Sequence, residues 1–547
     1  MRTLALVLAL AAGAAWIFQD RILLAAIGFA SQRRMPVGPN QPIEWDRGPA
    51  SASRAPGERP PNVVVILADD LGWNDLTIAG GGFASGSVPT PHIDSIARDG
   101  VRFTNGYSAN GTCAPSRAAL LSGRYGTRFG FEFTPTPPGM SFAVAHLWNR
   151  APGRLRPAIR HRGESVSFDA MGMPASEITI AELLQQAEYH TVHIGKWHLG
   201  GENGMAAHQQ GFDESLLMAN GLYLPVDHPD VVNSKQDFDP IDRFLWRALK
   251  HAASFNGGPV FAPAGYLTDS YTDEAVQVIE ANANRPFFLY LAHWAPHTPL
   301  QATRADYDAL SHIPDHRERV YAAMLRALDR GIGRVLDALR AHGLEENTLV
   351  FFTSDNGAPN YIGLPDVNDP FRGWKISFFE GGIHVPYFAK WPARIAPGSV
   401  YEAPVQGFDI FATAAAAAGV PLPGDRAIDG VDLVPFVRGE REGEPHRALF
   451  WRSGHYRAAR IDGWKLQVNE RPPGTTWLFD LENDPTERTN LAEREPERVA
   501  SMRRALDAHD AEQVGSLWPS LAEIPVNVDQ TLAEPDAPDD EFIYWPN

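Results

Sequence analysis

Residues 62–70 read "NVVVILADD", an unbroken apolar run that ends in two aspartates. A run without polar alternation is the pattern of a strand buried on both faces of a parallel sheet. The pattern recurs at 190–195 ("HTVHIG"), 286–293 ("PFFLYLAH") and 347–356 ("NTLVFFTSDN"). Between these runs the apolar positions switch to helical spacing. "TPHIDSIARDG" predicts a helix with Thr90 as N-cap, Pro91 at its first position and Gly100 as its stop. "ITIAELLQQAEY" is a second amphipathic helix. A long third one carries Val320, Met324, Leu328, Ile332, Val335 and Leu339 on one side. Strands alternating with helices predict an α/β fold with a large, mostly parallel central sheet sandwiched by helices over residues 62–396.

Beyond Pro397 the texture changes. "HRALFWRSGHYRAARIDGWKLQVNE" and "TTWLFDLEND" predict short antiparallel strands, and "EPERVASMRRALDAHDAEQ" a closing helix. Residues 397–547 are therefore expected to form a smaller C-terminal α+β subdomain carrying an antiparallel sheet. The alanine-rich "FDIFATAAAAAGV" reads as a packing helix.

The N-terminus follows other rules. After Arg2 an apolar run extends from Leu4 to Phe18, with small residues around Ala11 to Ala15, and a second run covers Ile22 to Ala30. Neither reaches the roughly 20 residues of a clean spanning helix. Residues 1–30 are expected to be a secretory signal peptide or an N-terminal membrane anchor, placing the protein outside the cytoplasm, periplasmic or secreted. Residues 31–61 are proline-rich and aperiodic, the composition of a linker.

The net charge of −18 argues against a nucleic-acid partner, which needs a basic surface. One cysteine in 547 residues excludes an intramolecular disulfide. Ligands of open α/β sheets bind outside the carboxyl ends of the strands, and four strand ends here carry polar groups. Asp69 and Asp70 close one, Lys196 and His198 another, His293 and His297 a third, Asp355 and Asn356 the fourth. Aspartate and asparagine after a strand are also ordinary turn formers. Two such pairs on separate buried strands repel unless protons or a cation intervene. Four hard oxygen side chains suit Ca²⁺ or Mg²⁺ better than zinc. The alternation in "GKWHLG" would set Lys196 and His198 on one face of an extended strand end.

The lone cysteine stands in "GTCAPSRAALLSGRY". Pro115 and Ser116 read as a helix start and Gly123 as its end. Cys113 would then precede a helix N-terminus with Arg117 one turn away, a setting that acidifies a thiol.

"CAPSRAALLSGR" resembles the signature of the type I, formylglycine-dependent sulfatases of the alkaline phosphatase superfamily. "ADDLGW", "GKWHLG", "APHTPL", "SDNG", "GWKISFFEGG" and "LFDLENDPTERTNLA" resemble that family too, in its order, from about Asn62 to Leu491. The resemblance implies an alkaline-phosphatase-like fold and a sulfuric-ester hydrolase, arylsulfatase-like. It implies that a separate maturation enzyme oxidises Cys113 to formylglycine (3-oxoalanine). One hydroxyl of the hydrated aldehyde would attack sulfur, and the other would expel sulfate. Asp69, Asp70, Asp355 and Asn356 would hold one Ca²⁺ with the group derived from Cys113. Asp355 would also accept the nucleophile's proton. Arg117 and Lys196 would steady the nucleophile, and His198 would take the proton that triggers sulfate release. Lys196, His297 and Lys375 would bind the ester of a small molecule or glycan. His293 matches no motif position and is expected to be structural. His384 stands where arginine is common and is expected to affect loop packing. Residues 227–263 show no motif and are expected to shape substrate access. A formylglycine-dependent phosphonate monoester or phosphodiester hydrolase is the alternative. A binding protein without activity would have lost a motif residue, and an alkaline-phosphatase-like zinc enzyme would show several histidine ligands and a serine or threonine nucleophile.

Overall fold

The structure is a computed structural model, and it describes residues 18–54, 58–150, 154–159 and 166–547. Most of the first apolar run of the N-terminus therefore lies outside the described residues. Ten strands form the central sheet: β1 (Asn62–Ala68), β2 (Val101–Phe103), β3 (His190–Gly195), β4 (Glu214–Gly221), β5 (His251–Phe255), β6 (Val260–Phe261), β7 (Phe287–Ala292), β8 (Thr348–Ser354), β9 (Tyr387–Lys390) and β10 (Ser399–Tyr401). Their order is β10-β2-β9-β8-β1-β7-β3-β4-β5-β6. The middle, β8-β1-β7-β3-β4, is parallel, with Val63 opposite Phe288 on one side and Leu349 on the other. Antiparallel pairs flank it at β8-β9, β9-β2, β4-β5 and β5-β6.

All seven residues of β1 are buried, as the unbroken apolar run requires. Its side chains divide between two cores. Val64, Ile66 and Ala68 join one with the helices Pro91–Arg98, Leu267–Ala281 and His316–Ala341. Val63, Val65 and Leu67 join the other with Cys113–Ser122, Ile180–Gln185 and Asp409–Ala418. The sheet is thus sandwiched by helices, as the sequence predicts.

After Pro397 the chain first returns to the main sheet, where Ser399–Tyr401 pairs in parallel with β2. A separate antiparallel sheet follows, from Ala448–Ser453, Tyr456–Ile461, Trp464–Asn469 and Thr475–Asp480. One face packs Leu466, Val468 and Leu478 on Met502 and Leu506 of the helix Pro496–Asp510. The other sets Trp451, Tyr456 and Trp477 against Phe378, Phe379 and Ile383 of the main domain.

The proline-rich segment lies along the domain. Gly38 N donates to Val260 O (2.9 Å), Ala262 N donates to Gly38 O (3.0 Å), and the buried Trp45 donates Nε1 to Glu274 (2.7 Å). Before it, the helix Gln19–Arg34 packs on Pro240–Ala248, with Ser31 Oγ donating to Ala248 O (2.6 Å). Phe18, Ile22 and Phe29 are left exposed. No helix among the described residues is long and apolar enough to cross a membrane.

Candidate active site

Adjacent parallel strands bring the two acidic pairs together. Where β1 ends, Asp69 N donates to Ala295 O (3.2 Å); where β8 ends, Asp355 N donates to Ala68 O (3.3 Å). Ser354 Oγ ties the two turns, accepting from Leu71 N (3.0 Å) and donating to Asn356 O (2.8 Å). Asp70 is in the left-handed region at φ 62°, which turns its carboxylate away from the path of Asp69. From the other side the helix Cys113–Ser122 presents its first residue. It begins two residues earlier than Pro115 and ends, as expected, at Gly123 with φ 71°.

Cys113 Sγ lies 3.5 Å from Asp69 Oδ1 and 3.7 Å from Asp70 Oδ1. Arg117, fully buried, grips Asp355 Oδ2 through Nε and Nη2, both at 2.8 Å. Its Nη1 donates to Lys196 O (2.9 Å), and Nη2 is 3.3 Å from Asp69 Oδ2. Lys196 Nζ reaches the same Asp69 oxygen at 2.7 Å. Lys375 Nζ contacts both oxygens of Asp70, at 2.7 and 2.8 Å, and stands 3.4 Å from His297 Nε2. His297 Nε2 is also 3.4 Å from Asp70 Oδ2. Asn356 Nδ2 donates to Asp70 Oδ1 (2.7 Å). Three carboxylates thus face three permanent cations around one sulfur atom in a buried pocket.

A family profile described as "Sulfatase" matches residues 61–420, and one described as "N-sulphoglucosamine sulphohydrolase, C-terminal" matches residues 373–511. The chain belongs to the sulfatase family. It is 34% identical to N-acetylgalactosamine-6-sulfatase of Mus musculus, covering 75% of this chain and 72% of that one. Steryl-sulfatase of Mus musculus is 32% identical, covering 85% and 82%. Among solved structures, Ps i-CgsB in complex with k-i-k-neocarrahexaose superposes with a TM-score of 0.68 at 30% identity, over 84% of this chain and 95% of that chain. The protein is an enzyme that hydrolyses sulfate esters, and the phosphonate alternative is not favoured.

The electrostatics of this sulfatase correct one sequence expectation. The Cys113 thiol is not acidified by its helix N-terminus: burial and the Asp355 charge push it well above the ordinary range. Loss of solvation, with a carboxylate nearby, outweighs the partial charge of a helix end. Burial and Asp355 likewise push Asp69 up to about 7. Asp70 goes the other way. Burial alone would raise it, but the charge and hydrogen bond of Lys375, with Lys196 behind it, hold it well below the usual carboxylate range. Lys375 is held protonated, the Asp70 charge overcoming its burial.

Two histidines stay neutral. Burial and the neighbouring cations lower His198 and His297 well below the ordinary imidazole range. His297 Nδ1 donates to Thr298 O (2.6 Å), which leaves the lone pair on Nε2, toward Lys375. Its ring stacks on Trp294 at 3.8 Å. His198 does not sit in an extended strand end with Lys196. β3 stops at Gly195 (φ 109°), and His198 itself has φ 63°, so simple alternation fails. His293 is fully buried with neither nitrogen hydrogen-bonded, and burial alone lowers it. His384 bonds Glu380 (2.7 Å) and Thr104 O (2.8 Å) and stacks on Phe371, a packing role.

Sequence reasoning missed four supporting groups. Tyr361 donates its hydroxyl to Asp70 Oδ2 (3.2 Å). Tyr223 donates to both Trp294 O and His297 O at 2.9 Å. Asp242, inside the motif-free stretch, accepts from Thr298 Oγ1 (3.0 Å), and Trp294 supplies the stacking face. None lies in a recognisable motif.

The residues present fit a hard cation. Ligand atoms of Asp69, Asp70, Cys113 and His297 lie within 4.8 Å of one another. Asn356 Oδ1 is buried without a hydrogen-bond partner beside them. An unpaired buried amide oxygen next to ionised carboxylates is a strong acceptor in search of a positive charge.

Proposed function

We propose that this sulfatase cleaves sulfate monoesters with a formylglycine made from Cys113 and with one Ca²⁺ held by Asp69, Asp70, Asp355 and Asn356. The placement of Cys113 Sγ between two aspartates and the Arg117–Asp355 pair carries the reading. A thiol kept protonated there is a poor nucleophile. The same position suits a hydroxyl, whose acidic proton the surrounding carboxylates can accept. The formylglycine supplies that nucleophilic hydroxyl; Ca²⁺ supplies positive charge for the sulfate oxygens.

The chain's own groups divide the remaining work. Asp355 accepts a proton from the nucleophile, its carboxylate aimed by the two-nitrogen grip of Arg117. Lys196 holds Asp69 and, with Lys375, binds the sulfate oxygens. Lys375, held protonated, donates to the departing alcohol oxygen, and the His297 Nε2 lone pair 3.4 Å away orients its ammonium. His198, neutral and with Nδ1 unpartnered, accepts the proton released when sulfate leaves.

The relatives' names point to N-acetylgalactosamine-6-sulfate and steryl sulfate, and Ps i-CgsB was crystallised with a neocarrahexaose. The substrate class is accordingly a sulfate ester of a glycan or a small molecule. The partner in maturation is a formylglycine-generating enzyme. We place the protein outside the cytoplasm, exported through the apolar N-terminal segment as a cleaved signal or a retained anchor. The solvent-facing Phe18, Ile22 and Phe29 favour the anchor.

The decisive experiment is the peptide mass around Cys113 in protein from its native host, with turnover of 4-nitrophenyl sulfate measured in parallel. An aldehyde mass, activity abolished in Cys113→Ala, and loss of most activity on Ca²⁺ chelation are expected. Full-rate turnover by protein carrying the unmodified thiol would refute the reading.

A further inference from the structure

The helix Gln19–Arg34 is apolar on two sides, and only one of them meets the domain. At about 100° per residue, Asp20, Leu24, Ile27 and Ser31 share the side that packs on Pro240–Ala248. Leu24 is buried, Ser31 Oγ donates to Ala248 O (2.6 Å), and a Cβ on Gly28 would stand 3.6 Å from Arg247 O. Asp20 pins this side, 2.9 Å from Arg150 Nε, 3.3 Å from Arg243 Nη2 and 3.4 Å from His146 Nε2. The helix is thus a fixed part of the folded domain. Its other side carries Phe18, Ile22, Ala25, Ala26 and Phe29, all exposed, Ile22 at 54% and Phe29 at 60%. These residues form a stripe roughly 100° wide, the width with which a surface helix ordinarily faces a core. A contiguous apolar surface left open to water marks a site of contact. Phe142, one turn ahead of His146, adds another exposed ring on the helix that Asp20 holds.

The charges identify the partner. The exposed charged residues of this helix are all arginines, Arg21, Arg33 and Arg34, in a chain of net charge −18. The Arg21 guanidinium stands 5.7 Å from the centre of the Phe18 ring, and that of Arg33 stands 4.3 Å from the centre of the Phe29 ring. Cations therefore sit at both ends of the stripe, where their long stems can reach phosphates while the rings enter hydrocarbon. A second copy of the chain fits this face poorly. Whether two such helices met parallel or antiparallel, arginine would oppose arginine. Residues 3–17, directly ahead in the sequence, contain no charged side chain and favour the same apolar phase. Lipid held by that segment would meet the stripe at high effective concentration.

We propose that the open side of the helix Gln19–Arg34 lies flat in the headgroup layer of an anionic bilayer. The inference rests on the anchored form of the N-terminus proposed above and adds the surface by which the folded domain itself binds lipid. Phe18, Ile22 and Phe29 enter the acyl boundary, and Arg21, Arg33 and Arg34 pair with lipid phosphates. Because Asp20, Leu24 and Ser31 fix the helix to the domain, the catalytic domain is held against the membrane in one orientation and does not swing on a leash.

The test uses the full-length chain with Cys113→Ala, which makes an added cysteine its only thiol. Ala25→Cys and Ala26→Cys place a nitroxide on the stripe. Leu422→Cys, 41% exposed beyond the helix Asp409–Ala418 on the other face of the sheet, is the reference in water. Each protein is reconstituted in phosphatidylcholine vesicles containing phosphatidylglycerol, and nitroxide collisions with oxygen and with a water-soluble nickel chelate are compared. The oxygen-to-nickel ratio at Ala25 and Ala26 is expected to exceed that at Leu422 by about fivefold or more, the mark of apolar surroundings. Ile22→Ser with Phe29→Ser, both at exposed positions, should bring the ratio to within about twofold of the Leu422 value while the protein stays on the vesicles. A water-like ratio at Ala25 and Ala26 on vesicle-bound protein would overturn the proposal and leave the anchor reading standing. Labels that broaden one another would also overturn it, by putting a second copy on the stripe. Protein missing from the vesicle fraction would remove the anchor reading and this proposal together.

Discussion

Lys465 lies on the C-terminal antiparallel sheet, far along the chain from every proposed catalytic group, and is fully buried. Its Nζ is 2.7 Å from Glu380 Oε1 and 3.0 Å from Glu487 Oε1. The second oxygen of Glu380 accepts from Tyr107 (2.9 Å) and His384 (2.7 Å), and Glu487 Oε2 accepts from Glu380 N (2.6 Å). Burial works against the Glu380 charge, but Lys465 and His384 hold its carboxyl well below the usual range. Burial pushes Glu487 up to about 7 despite the lysine. One cation therefore supports two acids in a dry interior. Lys465→Met keeps most of the volume and removes the charge.

Breaking a buried ion pair from one side costs about 3–5 kcal/mol, chiefly because the partner is left buried and unpaired. With two acids stranded the upper part of that range is expected. Glu380 closes the "GWKISFFEGG" loop that carries Lys375, and Phe378 N in the same loop donates to Tyr456 OH (2.8 Å) of the C-terminal sheet. Loosening this joint should therefore move Lys375 as well. Urea unfolding at pH 7.5 measures the first effect; KM for 4-nitrophenyl sulfate, measured where the variant is still folded, reads the second. Adding Glu380→Gln and Glu487→Gln to Lys465→Met should recover at least a third of the lost stability. A loss below about 1 kcal/mol in Lys465→Met would refute the reasoning, since that is the scale of an exposed pair.

Asp355→Asn should lower kcat by at least about 100-fold, the scale of a lost general base, and a loss below fivefold in steady-state assays would assign the proton elsewhere. Because His198 is lowered by burial and by Lys196, it stays neutral below the ordinary pH 6.5. The acid limb of kcat assigned to it should thus lie below pH 6.5, with sulfate release rate-limiting, and a limb at 6.5 or higher would contradict that environment. His251 and His293 are lowered to about 4 by burial. Their neutral forms favour the folded state above pH 6.5, and that contribution is lost as the pH falls toward 4, about 3 kcal/mol each at full extent. Thermal unfolding between pH 7 and 4 should show a falling Tm, with a shallower fall in His293→Phe.

The strand ends were legible because an apolar run leaves no choice of face and its first polar residue marks the exit from the sheet. Asp69, Asp70, Asp355 and Asn356 were found this way, and the "CAPSR" segment by its helix signals. What sequence could not show was the sum of charges around Cys113. A helix start is visible locally, whereas the burial that reverses its effect, helped by Asp355 and Asp69, comes only from the packed strand ends. Tyr361, Tyr223 and Asp242 were missed for a similar reason: each acts through one contact made across the fold, and no spacing encodes it. The short strands Val101–Phe103 and Tyr387–Lys390 gave no strong periodicity, so the antiparallel flank of the main sheet came only with the structure.

The hydrogen bonds that Gly38 makes to Val260 and Ala262 have a consequence for handling the protein. They sit on the outermost strand, where amides and carbonyls would otherwise form an open row able to recruit a strand from another copy. The start of the proline-rich stretch thus acts as a lid on one rim of the sheet. Protein trimmed back to Asn62 would lose that cover and self-associate at concentrations where the longer chain stays monodisperse.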